Sequence, residues 1–444
     1  MAYRVCIINP KVREVFDLAE PLNIVDIATY LKKAGITVKI IDEIIEDDVI
    51  AEVKSFKPDL VGFTALTCAY PRAVQLMKEI KSFGYRTIIG GPHVTPLPED
   101  ALRDGFDMVV VGEGEKILLE IISKGYKKGV YKVSKEKILK NEELLLPDRT
   151  LINMDFYAKV GSWSTRRTVI RKATVLAARG CPYQCIFCHN TWRDTPVRFL
   201  SSEAMVEEIE KLIYDYSIQC ISFTDDDFFI NRKRTIQFCE LMLKKNIKIP
   251  WHACARADSL DEEIIDLACR AGFKRIGFGF ESGSQRILDL MNKKANVEAN
   301  ISAYKLCRNH KLEVLGFYMV GNPTETKEDI RQTWSFIKRT PVDYFGITAL
   351  IPFPGTKVWD LCKEAGYLSG KIDFSKFYYA YAPIQIPNTF APKEVENIKR
   401  KILIKTYLVN PKLLKRFICL AIRYPLHMFK IILDHLPFIS KSAS

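Results

Sequence analysis

The stretch RGCPYQCIFCHN (residues 179–190) places three cysteines, Cys181, Cys185 and Cys188, in one turn-rich segment. No fourth cysteine follows in the segment, although a metal site closed by protein alone takes four soft ligands. Three thiolates can instead hold three irons of a 4Fe-4S cube and leave the fourth iron open. We therefore interpret the segment as a cluster site whose missing ligand is a small molecule.

The composition of the chain limits what the protein can be. Its 444 residues suit two or three domains, and a hydrophobic content of 48% argues against global disorder. The start, MAYRVCIINP, lacks the features of a signal peptide, so we expect a cytoplasmic protein with reduced cysteines. Residues 393–444 carry eleven Lys or Arg and three acids, a net of +8 out of the total +13. The charge therefore gives no reason to expect a nucleic-acid partner.

Residues 1–125 alternate short apolar runs with amphipathic stretches. Five runs rich in Val and Ile predict a parallel sheet buried on both faces: YRVCIINP, ITVKIID, DLVGFTA, RTIIGG and DMVVVG. The βα rhythm indicates an α/β, doubly wound, Rossmann-like domain, whose ligands bind at the carboxyl ends of its strands. The unusual residues stand at these ends: Asn9-Pro10, Thr64–Tyr70, GGPHVTP (90–96) and GEGE (112–115).

The rest of the chain predicts three further parts. Residues 126–165 are Lys-rich and are predicted to form a linker. Residues 166–375 resume the βα rhythm with six strand candidates: TVLAAR, CISFTDD, IPWHACAR, RIGFGFE, EVLGFYMVG and YFGITALIP. Six such units predict a partial (β/α)6 barrel with its site at the carboxyl ends of the strands. Residues 376–444 are predicted to form a helical, basic, amphipathic tail.

The cysteine segment resembles the signature of the radical S-adenosylmethionine (radical SAM) family, including the aromatic Phe187 before the last cysteine. In that family the amino and carboxylate groups of SAM bind the open iron, and reduction releases a 5′-deoxyadenosyl radical. The resemblance implies that Cys181, Cys185 and Cys188 hold a 4Fe-4S cluster. A structural zinc site with His189 as fourth ligand is the alternative, although the spacing suits a tetrahedron poorly.

Later motifs are similar to the same family. The acids of FTDDDFFIN (223–231), Asp226 among them, are implied near the SAM amino group, or they cap a helix. Arg256 is implied for the SAM carboxylate, or it forms a surface ion pair. Glu281 is implied for the ribose hydroxyls, and Gly321, within MVGNPTET, for a turn against the adenine or methionine moiety. With Phe187, these residues make up the implied SAM site.

A doubly wound domain ahead of such a barrel resembles the cobalamin-dependent radical SAM enzymes. GGPHVTPLPED and VVGEGE are closest to the subgroup that includes the anaerobic Mg-protoporphyrin IX monomethyl ester cyclase. The implied cobalamin contacts are Thr64, Thr67, Gly90, Gly91, Gly112, Glu113 and Gly114. The D-x-H-x-x-G motif, which supplies a cobalt-binding His elsewhere, is absent, and INPKVREV (8–15) occupies its place. We expect cobalamin without a His ligand, with Leu66–Tyr70 nearest to cobalt; a domain that binds no cobalamin is the alternative.

The methylthiotransferases also carry an α/β domain before this barrel. Their N-terminal part contributes three cysteines to a second cluster, whereas only Cys6 and Cys68 lie in residues 1–125 here. This difference argues against that class.

The resemblance implies C-methylation of an unactivated carbon through the 5′-deoxyadenosyl radical and methylcobalamin. The implied partners are a small-molecule or lipid-like substrate and an external electron donor of the flavodoxin or ferredoxin type. A radical cyclase or an oxygen-insertion enzyme acting on a tetrapyrrole-like substrate is one alternative. A non-catalytic cobalamin or redox sensor is another. The sequence assigns no catalytic residue beyond the implied ligands.

Residues 410–438 combine apolar and basic side chains at helical spacing. They contain no run of about twenty apolar residues, as a membrane-spanning helix requires. Two interpretations stay open. The tail lies on an anionic membrane surface, which would make the cytoplasmic protein peripheral to the membrane, or it packs against the barrel.

Overall fold

The computed structural model describes residues 3–12, 18–125, 127–160, 170–190, 192–193, 195–370, 372–378 and 381–423. These residues form an N-terminal α/β domain, a connecting segment, a curved parallel sheet covered by helices, and two helices at the end of the described chain.

The N-terminal domain contains one parallel sheet with the strand order β2-β1-β3-β4-β5-β6. Its strands are β1 (Arg4–Asn9), β2 (Thr37–Asp42), β3 (Leu60–Thr64), β4 (Thr87–Gly90), β5 (Met108–Val111) and β6 (Gly129–Lys132). The strands are rich in Val and Ile, and separate apolar clusters cover the two faces of the sheet. Strand order reverses at β1 and β3, where doubly wound domains bind their ligands. The predicted Rossmann-like fold is confirmed.

Helices connect these strands on both faces of the sheet. They are α1 (Leu22–Lys33), α2 (Val49–Phe56), α3 (Tyr70–Ser82), α4 (Pro98–Asp104) and α5 (Glu115–Lys124). The predicted linker differs from expectation because its first residues form β6, which extends the sheet at its edge. Leu139 and Arg149 of the same segment are buried. The connection between the domains is therefore packed structure.

The second sheet has the strand order β14-β13-β12-β11-β10-β7, and all its neighbouring strands are parallel. Its strands are β7 (Lys172–Val175), β10 (Cys220–Phe223), β11 (Trp251–Ala255), β12 (Phe273–Glu281), β13 (Glu313–Val320) and β14 (Tyr344–Ala349). The short strands β8 (Ala178–Arg179) and β9 (Arg198–Phe199) form a separate antiparallel pair. The predicted partial barrel of six strands is confirmed, and its strands follow one another in chain order across the sheet.

Helices cover the outer face of this sheet. They are α6 (Met154–Val160), α7 (Ser202–Tyr216), α8 (Arg232–Lys244), α9 (Glu262–Arg270), α10 (Gln285–Leu290), α11 (Val297–Asn309), α12 (Lys327–Arg339) and α13 (Lys357–Glu364). Polar side chains fix where several of them begin: Ser201, Asp261 and Thr326 accept hydrogen bonds from the first turns of α7, α9 and α12.

The inner, concave face of the curved sheet is open. In β11, Trp251, Ala253 and Ala255 are buried, whereas His252 and Cys254 are partly exposed. The same alternation runs along β13, where the buried even-numbered residues join the core beneath the outer helices. Side chains of successive strand residues point to opposite faces. The partly exposed residues therefore line a recess inside the partial barrel.

Polar side chains form a floor at the lower end of this recess. Arg275 pairs with Glu313 at 2.7 Å, and Arg416 pairs with the other Glu313 oxygen at 2.9 Å. Both guanidinium groups lie 4.0 Å from the centre of the Tyr344 ring. Arg416 also donates to the carbonyl oxygen of Asp343 at 2.6 Å. We call Arg275, Glu313, Tyr344 and Arg416 the barrel floor.

The last described helices are α14 (Pro392–Val409) and α15 (Pro411–Arg423). Asn410 donates to the carbonyl oxygen of Val342 at 2.8 Å, and Leu413 is buried. One face of α15 thus packs against the barrel, as the second interpretation of the tail predicts. Residues 424–438 of the predicted tail lie outside the described residues. Among the described helices, none has the length and apolar character needed to cross a membrane.

Substituting Arg416→Met should destabilise the barrel, because Glu313 and the Asp343 carbonyl lose a charged donor while the side-chain stem is kept. We expect urea unfolding to show a loss of about 1–3 kcal/mol. The control Lys415→Met changes an exposed cation on the same helix and should leave the midpoint unchanged. Equal effects of the two substitutions would contradict a structural floor.

Candidate functional site

The loop that carries the three cysteines follows β8 at the carboxyl end of the barrel, and backbone hydrogen bonds hold it in place. The Ile186 amide donates to Met291 O at 3.0 Å, and the Val358 amide donates to Ile186 O at 3.2 Å. The Asn292 side chain donates to Gln184 O at 2.8 Å. The loop is therefore fixed between the ends of α10 and α13, and its cysteines lie at the mouth of the recess.

The three cysteines are free thiols close enough to influence one another. Cys185 is buried, and Cys181 and Cys188 are half-buried. Burial raises the pKa of Cys188 to about 12, and Asp226 and the two other thiols add to the shift. Burial also raises the pKa of Cys181 and Cys185. Ionising these thiols without a nearby positive charge is therefore unfavourable. A bound metal centre would supply that charge and stabilise the thiolates.

The donor set fits a cube better than a single ion. Within the described part of the chain, no three His, Cys, Asp or Glu side chains converge closely enough for one metal ion. His189 is the candidate fourth zinc ligand. Its Nδ1 forms a hydrogen bond of 2.9 Å with the carbonyl oxygen of Pro354. A cube binds each thiolate on a different iron, so its ligands stand further apart than those of one ion. Three thiols without a fourth protein donor fit that group.

Lys293 is a site residue that the sequence analysis missed. Its Nζ donates to Glu281 Oε1 at 3.0 Å. Burial opposes its charge, but Glu281 and Cys185 raise its pKa, so it stays a cation beside the cysteine loop. In the sequence, Lys293 and Lys294 follow the amphipathic stretch RILDLM, and a pair of lysines in such a place does not indicate a site residue.

Glu281 lies at the end of β12, where the pairing with β13 shifts register. Its φ of +59° is in the left-handed region, which costs a residue with a side chain about 1–2 kcal/mol. An added Cβ at Gly279 would lie 2.5 Å from Glu281 Oε1. Glycine is therefore required at 279 for Glu281 to reach Lys293. Such strain is typical of residues held for a functional contact.

The three acids of the DDD motif have different roles. Asp225 is buried and accepts from the amides of Ala177 and Ala178 at 2.7 and 3.1 Å. Asp227 is buried and accepts from Ser259 Oγ at 2.6 Å. Asp226 is exposed, yet the surrounding protein raises its pKa. A carboxylate that lines an open recess is reached by solvent and is also surrounded by enough protein to raise its pKa. Only Asp226 is free to meet a ligand, and its contact with SAM stays a prediction.

Arg256 has protein partners in the structure. It forms a bidentate pair with Asp258 at 2.9 and 3.0 Å and donates to the carbonyl oxygens of Lys293 and Lys294, each at 2.8 Å. Its guanidinium also lies 3.6 Å from the centre of the Tyr183 ring. It therefore supports the segment that carries Lys293. A carboxylate ligand could use only its remaining Nη1 hydrogen, so the SAM contact stays a prediction.

Two further predicted SAM contacts are Phe187, which lies within the cysteine loop, and Gly321. Phe187, Ile186 and Met319 of β13 all pack against one apolar cluster, which consists of Leu350, Val358, Cys362 and Ile386. Gly321 follows β13 with a φ of +85°, and its amide donates to Glu325 Oε2 at 2.6 Å. Because that N–H is occupied, Gly321 could meet a ligand only through its Cα or carbonyl group.

The carboxyl edge of the N-terminal sheet carries an exposed apolar residue. Leu66, in the loop after β3, is 55% exposed, whereas Thr67 beside it is buried. At Gly91, φ is +106° and an added Cβ would lie 2.9 Å from Thr64 Oγ1. Gly91 therefore packs against the β3 loop, next to Gly90 at the end of β4. These residues shape an edge with Leu66 at its surface.

His93 lies beneath this edge and is 1% exposed. The centre of its ring lies 4.1 Å from that of Tyr70, with the two planes tilted by 36°, and it packs edge-on at 4.6 Å against Phe374. Burial lowers its pKa to about 3. The imidazole is therefore neutral and enclosed by aromatic rings, so it is not placed to coordinate a ligand bound outside the edge.

Gly112, Glu113 and Gly114 contact other parts of the chain. An added Cβ at Gly112 would lie 3.2 Å from Val133, and one at Gly114 would lie 3.0 Å from Ile27. Glu113 pairs with Arg198 at 2.5 Å and accepts from the Leu139 amide at 3.1 Å. Packing and ion pairing within the protein thus account for Gly112, Glu113 and Gly114 of the GEGE motif. Cobalamin contacts from it, and from Thr64, Thr67, Gly90 and Gly91, stay predictions.

A buried ion-pair network joins the N-terminal domain to the cysteine loop. Arg179, two residues before Cys181, lies 2.6 Å from Glu115, 2.8 Å from Asp26 and 3.7 Å from Glu113. Burial raises the pKa of Asp26 to about 6, although Arg179 opposes the shift. We call Arg179 and these three carboxylates the Arg179 cluster. It fixes the cysteine loop against the strand ends of the N-terminal domain.

Two family models match the chain. The Radical SAM superfamily model matches residues 175–337, and the B12 binding domain model matches residues 11–122. The first region contains the three cysteines, Asp226, Lys293 and Glu281. The second contains Leu66, His93 and the carboxylates of the Arg179 cluster.

Known proteins resemble the chain along most of its length. An uncharacterized methyltransferase from Pyrococcus horikoshii is 32% identical over 90% of each chain. The anaerobic magnesium-protoporphyrin IX monomethyl ester cyclase of Rubrivivax gelatinosus is 27% identical over 87% of this chain and 74% of its own. The solved structure of the radical SAM methyltransferase TsrM from Kitasatospora setae, with cobalamin and a [4Fe-4S] cluster bound, superposes with a TM-score of 0.70 at 16% identity over 92% and 89% of the chains.

Substituting Arg179→Gln should leave Asp26 and Glu115 without their cation, whereas Glu113 keeps Arg198; breaking such buried pairs is expected to cost about 3–5 kcal/mol of unfolding free energy. The matched control is Arg232→Gln, because Arg232 also pairs with two carboxylates, Asp261 and Glu263, but on the exposed surface. That change should leave the unfolding free energy nearly unchanged, because water screens ion pairs on the exposed surface. Urea unfolding measures both, and similar losses would show that the Arg179 cluster does not join the domains.

Proposed function

Because this chain belongs to the radical SAM superfamily, in the form that also carries a B12-binding domain, we propose that it methylates an unactivated carbon atom of a small-molecule substrate. It is an enzyme, and its cofactors are a 4Fe-4S cluster, SAM and cobalamin. The observation that carries the proposal is the set of three free thiols beside Lys293 and Asp226, fixed by the Arg179 cluster against the domain matched by the B12 model.

When bound, the cofactors supply the one-electron cleavage of SAM and a transferable methyl group. The chain's own part is to bind and position them. We assign Cys181, Cys185 and Cys188 as cluster ligands. Lys293 keeps a positive charge beside Cys185 and balances thiolate charge. Asp226, exposed in the recess, is available to accept hydrogen bonds from a cationic amino group.

The remaining SAM contacts are proposed for Phe187, Glu281, Gly321 and Arg256. The Glu281 carboxylate is held by Lys293 through one oxygen, so its other oxygen can accept from ribose hydroxyls. Arg256 contributes mainly by supporting Lys293. An external electron donor of the flavodoxin or ferredoxin type is proposed because no side chain can supply the electron.

On the cobalamin side, we propose that the edge of the sheet that carries Thr64, Thr67, Gly90 and Gly91 receives the corrin ring, with the exposed Leu66 nearest to cobalt. Glu113 joins this domain to Arg198, and Gly112 and Gly114 allow Val133 and Ile27 to pack closely beneath the edge. The enclosure of His93 supports cobalamin bound without a His ligand.

The second candidate function is a cyclase- or oxygen-insertion-type reaction on a tetrapyrrole-like substrate. It is favoured by the 27% identity to the magnesium-protoporphyrin IX monomethyl ester cyclase. Both reactions begin with SAM cleavage, so the product distinguishes them: methylation adds one CH2, whereas the alternatives close a ring or add oxygen.

We also propose that the enzyme is cytoplasmic and that its tail touches a membrane surface. The barrel-facing side of α15 uses Lys412 and Arg416 in ion pairs with Asp343 and Glu313, so these cations do not face lipid. The other side exposes Ile418 and Ile422 beside Lys415. An apolar strip flanked by cations suits an anionic membrane surface.

The first test measures iron, SAM cleavage and product mass in anaerobically reconstituted protein and in cell extracts. Wild-type protein should hold one 4Fe-4S cluster and cleave SAM when reduced. Extracts fed methyl-deuterated methionine should contain a product in which one hydrogen of the precursor is replaced by a CD3 group. Cys185→Ala should abolish all three signals, because one iron loses its thiolate. Cys239→Ala, a change at a buried core thiol, should keep them. Stoichiometric zinc without iron would refute the assignment.

The second test concerns the cobalt ligand. The EPR spectrum of cob(II)alamin-loaded protein should show no nitrogen superhyperfine structure, and His93→Ala should leave it unchanged because the imidazole is enclosed. Leu66→His should introduce nitrogen superhyperfine structure if residue 66 lies below cobalt. Nitrogen coupling in the wild type that disappears in His93→Ala would contradict the proposal.

The third test concerns the tail. Full-length protein should sediment with phosphatidylserine-containing vesicles at low salt and partly dissociate at high salt, since each surface Lys or Arg contributes about 1 kcal/mol. Ile422→Asp should reduce sedimentation. Tyr214→Asp, at an exposed site on α7, should not. If full-length protein does not sediment with the vesicles, or if both variants lose sedimentation equally, the tail packs against the barrel and does not bind membranes.

A further inference from the structure

An exposed aromatic ring lies inside the barrel recess. Phe317 is on the inner side of β13 and is 41% exposed. On the outer side of the same strand, Tyr318 is buried and stacks on Phe345 at 5.0 Å. Among the described residues, no aromatic ring packs on Phe317. A large apolar ring left open inside a recess suits contact with a ligand.

Glycines flank Phe317 on both neighbouring strands. In register, it pairs with Gly279 of β12 and Gly346 of β14. An added Cβ at Gly346 would lie 3.1 Å from Phe317 Cδ1, and one at Gly277 would lie 3.5 Å from Cε2. Opposite edges of the ring thus reach the two neighbouring strands where no side chain stands. The Phe317 ring therefore lies close to the backbone of the sheet, and the ring face that points away from the sheet is open to the recess.

The position of Phe317 relates it to the cysteine loop. Met319, two residues further along β13, packs against the same apolar cluster as Ile186 and Phe187 of that loop. Two strand residues span about 7 Å, so a ring on Phe317 would reach the level of the loop. Below Phe317, the barrel floor places charged groups at the lower end of the recess. A ligand on Phe317 therefore has an apolar surface beneath it and the proposed reaction site above one edge.

We propose that Phe317 is a stacking platform for the substrate and that the substrate carries a planar, conjugated ring. A flat ligand can use the whole open face of a ring that lies low between glycines, whereas a puckered saturated ring touches it at a few atoms. Stacking between aromatic rings adds about 0.5–1.5 kcal/mol beyond area burial. This inference rests on the proposed function, because it assigns the substrate class of the same recess.

The experiment uses two soluble probes with one carbon skeleton, 2-naphthoate and decahydro-2-naphthoate, with the reconstituted holoenzyme. Fluorescence titration should show that wild-type protein binds 2-naphthoate, and competition should show weaker binding of the saturated probe. Phe317→Leu should weaken 2-naphthoate about three- to tenfold and leave the saturated probe unchanged. Gly346→Ala should also weaken 2-naphthoate, because a Cβ there displaces the ring. Phe83→Leu, at an exposed ring on the protein surface, should change neither.

Equal affinity of wild-type protein for the two probes would overturn the proposal, and so would unchanged binding of 2-naphthoate by Phe317→Leu. Reductive SAM cleavage without substrate is measured in the same samples. It should be equal in wild-type protein and the surface control Phe83→Leu. A wild-type protein without SAM cleavage would refute the proposed function, whereas the titration would still decide whether the platform exists.

Discussion

The ion pairs of Arg179 are the constraint on which the arrangement of the two domains depends. A buried guanidinium is stable only where carboxylates replace the water that it has lost. Here those carboxylates, Asp26, Glu113 and Glu115, all come from the N-terminal domain. Because Arg179 is two residues from Cys181, any shift of one domain against the other would either break buried pairs or move the cysteine loop. The position of the cysteine loop relative to the N-terminal domain thus depends on the Arg179 side chain.

A second buried cation strengthens the same contact. Arg149, in the connecting segment, pairs with Glu20 at 3.2 Å and with Glu208 of α7 at 2.5 Å. Arg179 precedes the cysteine loop and Arg149 follows the N-terminal domain, and Arg198 pairs with Glu113, so buried ion pairs hold the interface at several points. Ion pairs are directional and intolerant of partial separation when water is excluded. They therefore fix orientation in a way that an apolar interface of the same size would not.

Short-range patterns predicted most of the fold, whereas long-range pairing decided the site. Val- and Ile-rich runs identified the strands of both sheets, and the cysteine spacing identified the loop. The strand β6 was missed because GVYK is short and bordered by lysines. GEGE was interpreted as a ligand loop, but Glu115 meets a residue 64 positions away, which no local pattern reveals. Lys293 was missed for the same reason. In EVLGFYMV nearly every residue is apolar, so the sequence could not tell that the side carrying Phe317 faces an open recess.

The barrel floor sets how deep a ligand can lie in the recess. Arg275, Glu313 and Tyr344 occupy its lower end, and α15 brings Arg416 to them. Phe317 stands four residues beyond Glu313 on the same strand. A helix of the tail, remote from the cysteines in the chain, therefore helps to define the depth of the space beneath the cysteine loop.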